Sequence, residues 1–315
     1  MRRIAWLIAT AVVALGATGF AFLHVVDGIE SANASTQQSV TASTQSSKPA
    51  KTVQSAPAGT STKTYSMKVA GLKRSYEVFA PVKALPKSAP IIVMLAGYKA
   101  SVSGEVARDQ LVPYATAGKA EVIYPVPVDE SWNAIGCCGY ANTHKVNDLA
   151  FMKALVAKVD PGNKRSIYVV GYSNGARLAY RVACTDPALF DGYAMVKGVP
   201  ITGCKVTKPV TLIQLASVDD PEIPYKPGDK GLEPLAVTTL MGQLHSALKC
   251  PAKSAVTHAA TMTQTTWSGC AGGARLASAV WAGGVHSFPR PPGSKPAASA
   301  VIWSFFTKTR LAPVP

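Results

Sequence analysis

A serine flanked by two glycines is the first place to look for chemistry in this chain of 315 residues. Gly171-Tyr172-Ser173-Asn174-Gly175 has the form G-x-S-x-G. It lies between an apolar run at 166–170 that reads as a strand and a stretch at 175–183 that reads as a helix. In that context the spacing describes a turn so tight that side chains two positions either side of the serine would collide, hence the glycines. The turn lifts the hydroxyl above the sheet, and the start of the helix places backbone N–H groups beside it. The chemistry implied is nucleophilic attack by Ser173 on a carbonyl, with the N–H of Asn174 placed to hold the oxyanion.

A serine hydroxyl needs a base, and the base needs an orienting carboxylate; with this turn their chain order is serine, acid, histidine. His24 and His144 precede the serine. His245 falls in a helical period and His258 in an expected strand, where a histidine is ordinarily a core or surface side chain. His286 follows Gly283-Gly284-Val285 in a loop between the last strand and the final helix, free to reach Ser173. For the acid, the apolar run 210–215 leads directly into Ala216-Ser217-Val218-Asp219-Asp220-Pro221. A loop just past a strand suits the acid, and position alone favours neither Asp219 nor Asp220. Asp148, Asp160, Asp186 and Asp191 read as helix caps, turn residues or surface charges.

These residues need a scaffold. Strands are expected at 76–81, 90–95, 122–124, 166–170, 193–196 and 210–215, with two further ones at 256–267 and 274–281. Helices are expected at 146–159, 175–183 and 234–248, and an amphipathic stretch at 297–307. Short continuous apolar runs suit strands buried on both faces, and strands alternating with helices imply a mainly parallel central sheet with helices on both faces, an α/β architecture. There is no internal repeat.

At these motifs the chain resembles the exported polyhydroxybutyrate depolymerase and feruloyl esterase family, over roughly residues 65–310. The likeness is carried by Ser131-Trp132-Asn133-Ala134 leading into Cys137-Cys138-Gly139, and by Gly171-Tyr172-Ser173-Asn174-Gly175 followed by Ala179-Tyr180-Arg181-Val182-Ala183-Cys184. Asp220-Pro221 with Pro224-Tyr225, and Gly283-Gly284-Val285-His286-Ser287-Phe288-Pro289, complete it. The resemblance implies the α/β-hydrolase fold, a serine carboxylic-ester hydrolase working through an acyl-enzyme, and Asp220 rather than Asp219 as the acid. Its substrates would be hydroxyalkanoate polyesters or oligomers, or feruloyl- and acetyl-type esters. A second oxyanion donor would be the backbone N–H of Tyr98. Three departures stand out: Ala96-Gly97 where the family usually has His-Gly, Phe288 where it has Trp, and Ala216-Ser217 where it has His-Gly. Trp132, Tyr98, Tyr225 and Phe288 are candidates for lining a substrate pocket or for packing the core.

The resemblance also suggests that Cys250 and Cys270, which flank an expected hairpin, are bonded; Cys184 with Cys204 is a candidate second bridge. Cys137 and Cys138 are adjacent, and either a bond between them or separate partners is open. No Cys-x-x-Cys pair occurs, and no metal or organic cofactor is expected.

Residues 1–34 read as a secretory signal: Arg2-Arg3, an uncharged apolar run at 4–26, then Ala32-Asn33-Ala34. The run is also long enough for an N-terminal membrane anchor. Residues 35–62 are rich in Ser, Thr, Gln and Ala, too polar to offset chain entropy, and read as a disordered linker ahead of a catalytic domain at 63–315. Either leader implies export, to the outside or the periplasm or anchored at the membrane, and six cysteines suit an oxidising compartment. The formal net charge of +15 comes from scattered residues rather than a Lys/Arg cluster, so it argues for solubility or attraction to anionic surfaces and against nucleic-acid binding. The partner expected is an ester substrate, possibly polymeric. The competing reading is a non-catalytic polymer- or wall-binding protein that keeps the hydrolase fold, motivated by the altered Ala96 and Ala216-Ser217 positions. Oligomeric state is open.

Overall fold

A computed structural model describes residues 57–315, save 135, 202, 310, 312 and 313. The expected leader, and all of the expected linker before residue 57, lie outside the described residues.

Among the described residues, ten strands form one sheet: β1 (Thr60–Val69), β2 (Leu72–Pro81), β3 (Ile91–Leu95), β4 (Glu121–Pro125), β5 (Ile167–Tyr172), β6 (Gly192–Val196), β7 (Leu212–Ser217), β8 (Ala255–Ala259), β9 (Met262–Trp267) and β10 (Leu276–Trp281). Their spatial order is β1-β2-β4-β3-β5-β6-β7-β10-β9-β8. The six strands from β4 through β10 in that order are parallel, and an antiparallel pair closes each edge. Strands β3, β6 and β7 are buried along their whole length, which explains their unbroken apolar runs.

Among the described residues, seven α-helices accompany the sheet: α1 (Val102–Asp109), α2 (Val112–Thr116), α3 (Gly139–Thr143), α4 (Asp148–Val159), α5 (Asn174–Thr185), α6 (Val237–Ala247) and α7 (Ala298–Thr307). Side chains of α4, α5 and α6 share one core layer with Ile91, Val93, Leu95 and Val169. Those of α1, α2 and α7 share the other with Ile92, Met94, Val170 and Ile213. Alternate residues of the buried strands thus feed two layers, as the period of a strand dictates. Ser101 caps α1 by accepting from the Gly104 N–H at 3.1 Å, and Asn147 caps α4 by accepting from that of Ala150 at 3.0 Å.

The architecture is the expected α/β one, with differences at the edges. The first strand begins at Thr60, inside the last residues expected to be linker. It is an edge strand whose middle faces solvent, so its Thr-, Ser- and Lys-rich sequence carries little apolar signal. The stretch 256–267, between Cys250 and Cys270, is a hairpin of β8 and β9 that turns at Ala260-Thr261. Helices α1, α2 and α3 have no counterpart in the sequence expectations.

Candidate active site

The turn between β5 and α5 carries Ser173, and its geometry explains the residues around it. A Cβ on Gly171 would run into the backbone of Gly175 and Ala176, and one on Gly175 into the carbonyls of Leu95 and Ala96. Ser173 has φ 51°, a positive value that costs a non-glycine residue energy. It occupies the N-cap position of α5, where a serine ordinarily caps the helix with its own hydroxyl; here that bond is not made. Instead, Oγ lies 3.0 Å from Nε2 of His286.

His286 is brought there by the loop after β10. Its carbonyl accepts from the Tyr172 hydroxyl at 2.8 Å, and the two rings pack with centroids 5.6 Å apart. Its Nδ1 faces both oxygens of Asp220, at 3.1 and 3.2 Å. Asp220, in the loop after β7, is buried, and its Oδ1 accepts from the backbone N–H groups of Glu222 and Ile223 at 2.9 and 3.1 Å. Asp219 is exposed. Burial alone would push the Asp220 carboxyl up, but the bond to His286 and its charge, the Glu222 N–H and Lys197 together hold it below the usual carboxylate value.

Beside the serine runs the loop that follows β3. A Cβ on Gly97 would sit 3.6 Å from Cβ of Ser173 and collide with the Tyr172 ring. Among the described residues, the backbone N–H groups of Tyr98 and Asn174 have no hydrogen-bond partner. The Asn174 side chain is fully used: Oδ1 accepts from the Trp132 N–H at 2.8 Å, and Nδ2 donates to the carbonyls of Trp132 at 3.2 Å and Cys137 at 3.4 Å. The asparagine of the motif therefore ties the 131–139 loop to the helix start.

Two pocket candidates have other roles. Trp132 is completely buried, with its indole N–H donating to the Ala96 carbonyl at 3.0 Å, and Phe288 is buried against Tyr172. Both pack beneath the site rather than line a pocket. Tyr98 is 42% exposed. Tyr225 helps line a groove of about 900 Å³ between α6 and the face of β9 and β10, together with Met241, Trp267, Thr263 and Ser278. His144 and His258 are exposed and His245 half-buried, none of them near Ser173 in bonding terms.

Charged residues around the site escaped the sequence reading. Lys197, directly after β6, is buried; its Nζ lies 3.4 Å from Oδ2 of Asp220 and donates to the Val285 carbonyl. Burial pulls its pKa down, and Asp220 opposes that. Glu222 places Oε2 3.3 Å from Nε2 of His286. Glu105 on α1 is wholly buried: Oε2 accepts from the Gly97 N–H at 3.4 Å and from Arg108 at 3.0 Å, while Oε1 has no partner. Burial raises its pKa, with Arg108 and the Gly97 N–H opposing. The Arg108 guanidinium in turn lies 5.3 Å from the Tyr172 ring. Arg177, one turn into α5, pairs with Glu233. A charged residue directly after the apolar run 193–196 was the one available signal for Lys197. Asp148, expected as a cap or surface charge, is instead buried, paired with Arg74 at 2.8 Å and accepting from the Asn133 N–H at 2.7 Å.

All six cysteines are paired: Cys184 with Cys204, Cys250 with Cys270, and Cys137 with Cys138. Among the described residues no group of three or more His, Cys, Asp or Glu side chains could hold a metal ion, and no helix is long and apolar enough to cross a membrane.

No family model matches the chain. NocK of Nocardia uniformis subsp. tsuyamanensis, named as an esterase, is 28% identical over 176 residues, 52% of this chain and 50% of NocK. Feruloyl esterase C of Emericella nidulans is 29% identical over 94 residues, 29% of this chain and 34% of its own length. The chain thus spans half or less of the curated relatives it matches. Among solved structures, the acetyl xylan esterase from Aspergillus awamori superposes with a TM-score of 0.52 at 15% identity, covering 74% of this chain and 94% of that one. Native sOPH gives 0.53 at 15% identity, covering 83% and 94%. The resemblance to feruloyl esterases is met by these relatives, which do not speak to its polyhydroxybutyrate side. The chain has the α/β-hydrolase fold and is similar in sequence to proteins named as esterases, feruloyl esterase C among them.

Proposed function

We propose that this chain is an exported serine carboxylic-ester hydrolase. The observation that carries the reading is the Ser173 Oγ–His286 Nε2 distance of 3.0 Å, with Asp220 on the opposite ring nitrogen at 3.1 Å. This is the nucleophile–base–orienter relation that acyl transfer needs. His286 takes the Ser173 proton as Oγ attacks the ester carbonyl. Asp220 accepts from Nδ1–H, fixing the tautomer and stabilising the imidazolium that forms. The N–H groups of Asn174 and Tyr98 receive the oxyanion, each worth about 2.7–4 kcal/mol in comparable sites. His286 then protonates the departing alcohol, and water, deprotonated by the same ring, releases the acid from Ser173.

The names of the relatives favour feruloyl- and acetyl-type esters, and the family resemblance adds hydroxyalkanoate esters. Export is supported by the three disulfides and by the apolar leader read from the sequence.

The test is release of nitrophenol from a short-chain nitrophenyl ester by the purified full chain beside its Ser173→Ala variant. The variant is expected to lose turnover by roughly 10⁴- to 10⁶-fold while keeping its circular dichroism. Activity retained in Ser173→Ala would remove the assignment. Feruloylated and acetylated polysaccharides and hydroxybutyrate oligomers, compared next, rank the substrate classes.

A further inference from the structure

Two charges of opposite sign bracket the Asp220–His286 pair, and neither is needed for the proton relay itself. Lys197 approaches from the Asp220 side: a buried ammonium held between Oδ2 of Asp220, at 3.4 Å, and the carbonyl of Val285, the residue before His286. Glu222 approaches from the other end of the ring, with Oε2 3.3 Å from Nε2, the same nitrogen that meets Ser173. Glu222 is held in place by its own loop, since its N–H donates to Asp220 and its carbonyl accepts from the N–H groups of Leu232 and Glu233.

A neutral imidazole that receives a proton at Nε2 presents only a lone pair there, and a carboxylate at 3.3 Å repels it. Once protonated, the same nitrogen is a donor that the carboxylate attracts. Glu222 therefore favours the protonated ring. Lys197 does the reverse, because a fixed positive charge against Asp220 weakens the hold of that carboxylate on the imidazolium.

We propose that Lys197 and Glu222 are positioning residues that balance one another. Lys197 anchors the acid and the backbone before His286, Glu222 braces the outer nitrogen, and together they set the pH range in which His286 can accept the Ser173 proton. The inference rests on the triad reading above. The other groups around the ring are accounted for. Tyr172 of β5 donates to the His286 carbonyl, and Arg108 and Glu105 of α1 lie behind the Tyr172 ring. Asp219 lies near Gly283 of the histidine loop.

The test uses the full chain with Glu222→Gln, Lys197→Met, Lys197→Arg and the double variant Glu222→Gln with Lys197→Met. Two readouts are taken: the pH dependence of kcat/KM on a nitrophenyl ester, and the ring titration of His286 followed by NMR, its signals assigned by their loss in His286→Asn. Glu222→Gln is expected to move the titration midpoint down, and Lys197→Met up, each by about one pH unit. Lys197→Arg should leave it in place, and the double variant should return near the parent value. Shifts in the same direction, or an unmoved midpoint in folded Glu222→Gln, would overturn the proposal. Should Lys197→Met fail to fold, Glu222→Gln and Lys197→Arg still decide. A parent chain that hydrolyses no ester would count against the esterase reading alone, because the ring titration does not depend on turnover.

Discussion

At the scale of single residues, the groups proposed to react stand at positions that backbone geometry constrains. The glycines around Ser173 are required by backbone collisions at 171 and 175, and a collision leaves a trace in residue type. His286 is singled out as the proposed base by chain order and by its place on a loop. Glu105, Lys197 and Glu222 left no such trace: a lone acidic or basic residue looks the same whether it faces water or a buried partner. Asp148, misread as a surface group, fails for the same reason, since its partner Arg74 is distant in sequence.

Glu105 merits a prediction at this scale. The loop after β3 carries Ala96, and the buried carboxylate of Glu105 receives the Gly97 N–H, next to the proposed donor at Tyr98. Removing it should loosen a contact that matters once the oxyanion forms. Glu105→Ala is expected to lower kcat about tenfold, some 1.4 kcal/mol in the barrier, with KM little changed. Glu105→Gln, which keeps an acceptor, should fall between. Steady-state kinetics decide, and an unaltered kcat in Glu105→Ala would reduce Glu105 to a packing contact.

At the scale of elements, legibility followed burial. Strands with both faces covered, such as β3 and β7, declared themselves as apolar runs. The outer strand β1 did not, because its exposed middle is free to be Thr, Lys and Ser, the same composition that reads as linker. Helix α1 was missed although two of its side chains are buried acids, Glu105 and Asp109. At only eight residues it also offers too few turns for a helical period to be read.

Asp109 gives that helix a pH signature. Both its oxygens accept from the Tyr124 hydroxyl, at 3.0 and 2.9 Å, and Oδ1 accepts from the Leu111 N–H at 2.8 Å. Burial nonetheless pushes its carboxyl well above the ordinary value, with those hydrogen bonds opposing and the nearby Glu105 adding to the rise. A carboxyl raised by folding contributes stability below its unfolded value, near 3.8, and that contribution fades as pH climbs toward the raised one. Asp109→Asn cannot titrate. Its stability relative to the parent should therefore improve from pH 4 to pH 7, by about 1.4 kcal/mol per pH unit until the raised value is passed. Urea unfolding at several pH values measures this, and a constant difference would show that Asp109 titrates alike in both states.

At the scale of the whole molecule, the disulfides divide between the site and the scaffold. Cys137–Cys138 lies in the loop that Asn174 clasps. Cys184–Cys204 pins the end of α5, and Cys250–Cys270 joins the segment after α6 to the one before β10. Each of the latter two spans a sequence separation of 20. By chain entropy each contributes about 3 kcal/mol. Replacing Cys184 and Cys204 together by Ala should lower unfolding free energy by that amount, measured by guanidinium titration, while leaving the Ser173-dependent rate within about twofold. A loss of turnover in the folded variant would mean that the bridge also shapes the site.

The positive φ of Ser173 reaches beyond the turn in which it lies. A non-glycine residue in that region costs of order 1–3 kcal/mol, and the missing hydroxyl cap adds to it. Glycine would relieve the backbone part at once. Selection for sturdiness alone would thus discard Ser173 early, and a lineage freed from the reaction would drift away from it. A serine at that position, uncapping its own helix and straining its own backbone, is a side chain set against the preferences of the fold that carries it.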